Sequence, residues 1–235
     1  MPDRRFTILS TASLPFDRIP DIPDSIDVLV IPFTEIHARN GEKIKTEISR
    51  LSAKKITAVF TSAYAVKFVA GLLSQKPKWK IYCIRNETRV AVVNWFGNES
   101  IVKFASNALF LSQHIINDGI KEVVFFCGDQ RMDILPDNLN KYGVELNELI
   151  VYETRLTPTE LENDPDAILF FSPTAVRSFF SINKISEETI VFAMGTTTAA
   201  ALKENTNHPV IISPEADKAF VFNMALEYAV SHPIT

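Results

Sequence analysis

Residues 168–180 read ILFFSPTAVRSFF and residues 190–202 read IVFAMGTTTAAAL, and a weaker copy of both lies 110 positions upstream. The earlier copy is AVFTSAYAVKFV at 58–69 and KIYCIRNETRVAV at 80–92. One ungapped register pairs Phe60 with Phe170, Ser62 with Ser172, Ala65 with Ala175, Val66 with Val176 and Thr88 with Thr198. It carries on to Ile101 with Ile211 and Phe110 with Phe220. A register that keeps strand, turn and helix patterns aligned over roughly sixty positions marks two copies of one supersecondary unit, hence two similar lobes.

Residue types say what each copy builds. Ile168-Leu169-Phe170-Phe171 is a short apolar run suited to a strand buried on both faces. Ser172-Pro173 has the chemistry of a helix N-cap with proline at the first helical position. Ala175, Val176, Phe179 and Phe180 follow at helical spacing. Residues 190–194 predict a second buried strand, Gly195 to Thr198 its turn, and Ala199 the opening of a helix. Residues 209–212 predict a third strand, with Ser213-Pro214-Glu215 capping a helix to about Val230. Strand and helix in alternation predict an α/β fold, each lobe a parallel sheet flanked by helices with right-handed crossovers.

In such a sheet every strand-to-helix turn lies on one rim, at the carboxyl ends of the strands, where ligands bind. Ser172, Thr197, Thr198 and Ser213 are expected on one rim, and Ser62 and Thr88 on the equivalent rim of the other lobe. Each turn also offers backbone N–H groups at a helix start, which favour anions. Most serines and threonines before helices are simply caps, but three successive threonines exceed what one cap needs.

The rest of the chain fits around the two copies. Residues 6–10 and 26–33 predict strands, and Pro15, Pro20 and Pro23 leave little room for a long helix between them. Residues 35–45 are polar and read as a crossing between lobes. Residues 122–127 predict a buried strand ending in Gly128-Asp129-Gln130-Arg131, a turn suited to meet a ligand. A helix marked by Ile134, Leu135 and Leu139 follows, closed near Tyr142-Gly143. Residues 148–155 predict a strand, and 156–166 an acidic connection. Each copy therefore has a spare strand pair, and periodicity does not decide which pair joins which copy.

Composition narrows the function. A chain of 235 residues with a net charge of −4 is no candidate for binding nucleic acid or a membrane surface. Cys83 and Cys127 fall in predicted strands, as core residues of a reducing compartment. The N-terminal MPDRRFTILST holds no apolar segment of signal-peptide length, so a cytoplasmic protein is expected. The chain has no GxGxxG or Walker loop, and only seven glycines. Its four histidines are scattered, and neither CxxC nor GxSxG occurs. No cofactor or metal is expected. A cleft of hydroxyls and backbone N–H groups, with Arg131 and Lys67 or Arg177 nearby, suits a polyanionic small molecule.

In this order the motifs FTSAYAV, IRNET, GDQRMDILPDNL, VYET, FFSPTAV and MGTTTAAAL resemble those of the uroporphyrinogen-III synthase family over nearly the whole chain. Where that family often has Thr-Arg-Pro after the first strand, this chain has Ser10-Thr11-Ala12-Ser13. The resemblance implies one lobe from residues 1–36 and 154–235, the other from 37–153, and a two-stranded linker. It implies cyclisation of the linear tetrapyrrole hydroxymethylbilane, with loss of water, inversion of ring D, no cofactor and a monomeric enzyme. The implied proton donor is Tyr152, in VYET. The implied substrate contacts are Thr11, Ser62, Thr88, Gly128, Arg131, Ser172, Thr174, Thr197 and Thr198. Two other readings fit the bare residues: a two-lobed binding protein without catalysis, and a ligand sensor, though no segment is left over to bind DNA.

Overall fold

The computed structural model describes residues 4–233. In chain order they form β1 (Phe6–Ser10), β2 (Ile26–Val30), β3 (Thr34–Ala38), α1 (Glu42–Ser52), β4 (Thr57–Phe60), α2 (Ala63–Leu72), β5 (Lys80–Ile84) and α3 (Glu87–Phe96). Then come β6 (Ile101–Ala105), α4 (Ala108–Asn117), β7 (Glu122–Gly128), α5 (Ile134–Lys141), β8 (Glu145–Leu156), β9 (Ala167–Phe170) and α6 (Pro173–Phe180). The last elements are β10 (Ile190–Ala193), α7 (Thr196–Lys203), β11 (Val210–Ile212) and α8 (Lys218–Ser231). The chain divides into two compact units: Met1–Glu35 with Arg155–Thr235, and Ile36–Thr154.

The sheet of the first unit has the order β11-β10-β9-β1-β2, with every pair parallel. The sheet of the second has the order β3-β8-β7-β4-β5-β6. The repeat holds down to strand register. Ala58, Val59 and Phe60 lie opposite Ile81, Tyr82 and Cys83. Their equivalents Ile168, Leu169 and Phe170 lie opposite Val191, Phe192 and Ala193. β7 and β8 occupy in the second unit the places that β1 and β2 hold in the first. The same architecture is thus reached by two connectivities, with the outer strand pair supplied from the chain start in one unit and from the end of the repeat in the other.

The inner strands β1, β9, β10, β4, β5 and β7 are buried on both faces, which is why they read as continuous apolar runs. In β9, Ala167 and Leu169 face the core under α8, while Ile168 and Phe170 face the core under α6 and α7. In β7, Val124 and Phe126 join the core beneath α1, α2 and α3. Val123, Phe125 and Cys127 join the one beneath α4 and α5.

Several local expectations change. The polar stretch after Glu35 holds β3 and then the helix α1, whose Ile48 and Leu51 are buried. Trp79 fixes the end of that helix by donating to the Leu51 carbonyl at 3.1 Å. β2 stops at Val30, two residues before Pro32, which has no N–H for a ladder. α7 starts at Thr196, so the threonines form its first turn rather than the preceding loop. α8 is capped by Asp217, which accepts from the amides of Ala219 and Phe220 at 2.9 and 3.2 Å. Ser213 instead closes a local turn with Glu215.

The chain crosses from unit to unit within β3 and within β8, which are neighbours. The Thr157 amide donates to Phe33 and the Arg39 amide to Val151. One index rises as the other falls, so the two strands run antiparallel.

Candidate active site

The carboxyl end of β7 is where the second unit concentrates its chemistry. From β4 the chain builds outward through β5 and β6, then returns to place β7 and β8 on the other side of β4. The turns after β4 and β7 therefore lead away from each other and leave a crevice at the rim, the usual ligand position in an open parallel sheet. Ser62 follows β4, Gly128 ends β7, and Tyr152 lies beside Gly128 on β8.

A bulge sets this arrangement. Cys127 is opposite Ile150, but Gly128 is opposite Tyr152, so the pairing skips Val151. The extra residue brings the Tyr152 ring over the Gly128 backbone. A Cβ at Gly128 would lie 2.3 Å from Tyr152 Cε2 and 2.4 Å from Cζ. The backbone of Gly128 has no positive φ, so glycine is required here for space alone.

Tyr64 and Phe68 also pack against the ring, with centroids 6.1 and 6.0 Å away. Its hydroxyl donates to Ser62 Oγ at 3.1 Å. Ser62 Oγ also accepts from the Tyr64 amide at 3.2 Å, as the N-cap of α2. With both acceptor positions used, the Ser62 proton is left to donate elsewhere. Burial raises the pKa of Tyr152, and the Ser62 hydrogen bond partly opposes that shift. The phenol therefore stays protonated across the neutral range. Asp129 holds the strand beneath it, donating its amide to the Tyr152 carbonyl at 3.2 Å and accepting from the Thr154 amide at 2.9 Å.

The other expected contacts are spread over both units. Arg131 lies after β7 with its guanidinium forked onto Glu148, one arm at 2.9 Å, and paired with Asp133 as well. These carboxylates raise its already high pKa further. Thr88 is buried in the first turn of α3. In the first unit the Thr11 hydroxyl is buried and donates to the Leu169 carbonyl at 2.6 Å, tying β1 to β9. Ser172 caps α6 by accepting from the Ala175 amide at 3.1 Å. Thr174 follows it, half-buried, within 3.4 Å of Arg177 Nη2. In the first turn of α7, Thr197 is exposed and Thr198 buried. Gly195, at the N-cap of α7, supplies no side-chain acceptor, and the space where its Cβ would be is open.

Comparison with known proteins fixes the family. The profile described as "HEM4: Uroporphyrinogen-III synthase HemD" matches residues 24–220. The chain belongs to the uroporphyrinogen-III synthase family. Two solved structures of such synthases share its fold. That of the Helicobacter pylori enzyme superposes with a TM-score of 0.69 at 18% identity, over 95% of this chain and 99% of that one. A variant of the Thermus thermophilus enzyme gives 0.63 at 12% identity, over 96% and 99%. No curated protein sequence matches the chain.

Uroporphyrinogen-III synthases are cyclising lyases of haem biosynthesis, and the non-catalytic binding reading is not favoured. Among the described residues of this synthase no helix is long and apolar enough to cross a membrane. Reading the sequence missed the aromatic wall. Tyr64 and Phe68 stand one helical turn apart, and their repeat equivalents are Thr174 and Ser178. That departure from the repeat was the available signal that the two rims differ. The bulge that aims Tyr152 left no such mark.

Proposed function

We propose that this chain cyclises hydroxymethylbilane to uroporphyrinogen III with Tyr152 as the proton source and Ser62 as the group that delivers the proton. The observation that carries this is the Tyr152–Ser62 hydrogen bond at the crevice of the second sheet, with the ring fixed against Gly128. The carbon–oxygen bond of the terminal hydroxymethyl group breaks. The departing oxygen takes the Ser62 proton and leaves as water, and Ser62 is reprotonated by Tyr152. The adjacent pyrrole nitrogen delocalises the resulting cation. Ring D then attacks through the α carbon that already carries its bridge to ring C. That bridge breaks and re-forms at the free α carbon of ring D, whose proton is released and restores the Tyr152 phenol. The enzyme's larger task is thus to hold that ring in place.

The substrate's eight carboxylates fit the remaining features. The N–H groups at the starts of α2, α6 and α7 offer anion contacts, with Thr174, Thr197 and Gly195 beside them. Thr11, Thr88, Arg131 and Thr198 act one step back, by holding the rim turns in shape. The two compact units serve as the functional lobes, and the linker strands allow them to move on a large flexible substrate. The same reading has the enzyme working as a monomer in the cytoplasm with both thiols reduced.

The test uses freshly made hydroxymethylbilane and identifies the porphyrinogen isomer formed. Tyr152→Phe and Ser62→Ala should each lower turnover by about 10²-fold or more. The spontaneous type I isomer should rise accordingly. Full turnover by Tyr152→Phe would remove the proton-source role. Exclusive type I product from the unaltered chain would remove the activity itself.

A further inference from the structure

At the far edge of the same unit, between α3 and β6, lies a second cavity of about 730 Å³. β6 is the edge strand of the six-stranded sheet, and the cavity runs outward along α3 from Arg85, after β5, to Asn98, on the side of β5 away from β4 and Ser62. The cavity is lined by Arg85, Arg89, Asn94 and Asn98 on its polar side and by Val90 and Phe104 on its apolar side. The Arg89 guanidinium lies 4.2 Å above the Phe104 ring centre. Its Nε is buried and has no hydrogen-bond partner. Neither arginine forms an ion pair among the described residues. Val90 and Phe104 are themselves 58% and 40% exposed, which is a lot for such side chains.

A buried N–H with no acceptor is costly, and a charged one more so. That Nε is sealed from any ligand, but the two Nη atoms of Arg89 are not among the sealed atoms, and a carboxylate pairs its two oxygens with such a guanidinium end. The ring beneath and the valine beside it ask for a flat apolar body attached to that carboxylate. The volume is that of an ordinary small-molecule site. We propose that the α3–β6 cavity binds a flat, carboxylate-bearing small molecule, separately from the Tyr152 crevice, with Arg89 as the anchoring residue and Arg85 as a second cation. This site does not depend on the activity proposed for the crevice.

The test is calorimetric titration of the full chain with naphthalene-2,6-dicarboxylate, and with inorganic phosphate for comparison. The aromatic dicarboxylate should bind and phosphate should bind at least tenfold more weakly. Arg89→Gln should lose at least tenfold in affinity, and Phe104→Leu and Arg85→Gln several-fold each. Tyr152→Phe should bind as the unaltered chain does. Because Arg89→Gln removes an unanswered buried donor, its ligand-free melting temperature should match or exceed that of the unaltered chain. Absence of binding, equal affinity for phosphate, or equal binding by Arg89→Gln and Phe104→Leu would each overturn the proposal. So would loss of binding in Tyr152→Phe, which would merge the cavity with the crevice.

Discussion

Adding one methyl group at Gly128 tests whether the ring of Tyr152 must sit where it does. In Gly128→Ala the new Cβ would stand 2.3 Å from Cε2. Ordinary van der Waals contact begins near 3.4 Å, so the ring must retreat by about 1 Å, disturbing its packing against Tyr64 and Phe68. Replacing glycine by alanine at a permitted φ gains about 0.4–1 kcal/mol through the unfolded chain. Overpacking costs about 1–3 kcal/mol, so the clash wins and the variant should be less stable by about 1–2 kcal/mol. A shift of that size also breaks the 3.1 Å bond to Ser62. Displacement of a working group by about 1 Å can cost about 10²-fold in rate. The assay is initial rate and isomer ratio with hydroxymethylbilane, alongside a denaturant melt. In a Tyr152→Ala background Gly128→Ala should cost no further stability, because the clash has gone with the ring, while the rate stays lost with the proton source. A Gly128→Ala variant with unaltered stability and unaltered isomer ratio would refute both the packing argument and the role it assigns to Tyr152.

The equivalent serines of the repeat should behave differently. Ser62→Ala should slow the reaction about 10²-fold, as Tyr152→Phe does. Ser172→Ala, which loses only a cap, should cost about 1 kcal/mol of stability in a urea melt with turnover changed less than about tenfold. The thiols give an alkaline signature. Burial pushes Cys83 up to about 11 and Cys127 up to about 12. The folded chain therefore keeps protons that the unfolded chain releases near pH 9. The stability these groups contribute is present below that pH and is lost as pH rises through 11 and 12. By pH 10 the loss is about 1 kcal/mol per thiol, measurable as a falling melting temperature that a Cys83→Ala/Cys127→Ala variant should flatten. Both thiols should also resist a thiol reagent at pH 8 until the chain unfolds, since the thiolate is the reactive form.

The fold was legible because the core of each unit is written twice. The offset that aligns Phe60 with Phe170 also aligns the strand pairs and the helices around them. The offset does not say which spare strand pair joins which copy, since β1 and β7 are both short apolar runs with similar flanks. Only the family resemblance chose between them. α1 went unread because charged residues mask its stripe, although Ile44, Ile48 and Leu51 recur at helical spacing. At the site, Tyr152, Ser62 and Gly128 could be named from motif order, but their contacts could not. Those depend on a one-residue slip in pairing between β7 and β8, and a slip of that kind leaves no trace in periodicity. Arg131 looked like a free cation because Glu148, its partner, is 17 positions away on another strand.

The differing connectivities of the two sheets also bear on how the protein is made. Residues 36–154 are contiguous and contain a complete sheet, so they can fold as they leave the ribosome. β1 and β2 emerge earlier and pair with each other, yet the second neighbour of β1 in the finished sheet is β9. At ordinary elongation speeds that wait is about 8–30 s. During it, a two-stranded piece with the β1 edge open waits ahead of a finished domain. The nascent chain should therefore be most exposed to chaperone capture or wrong pairing in that interval, and a fusion that delays the last eighty residues should aggregate through its first thirty-five.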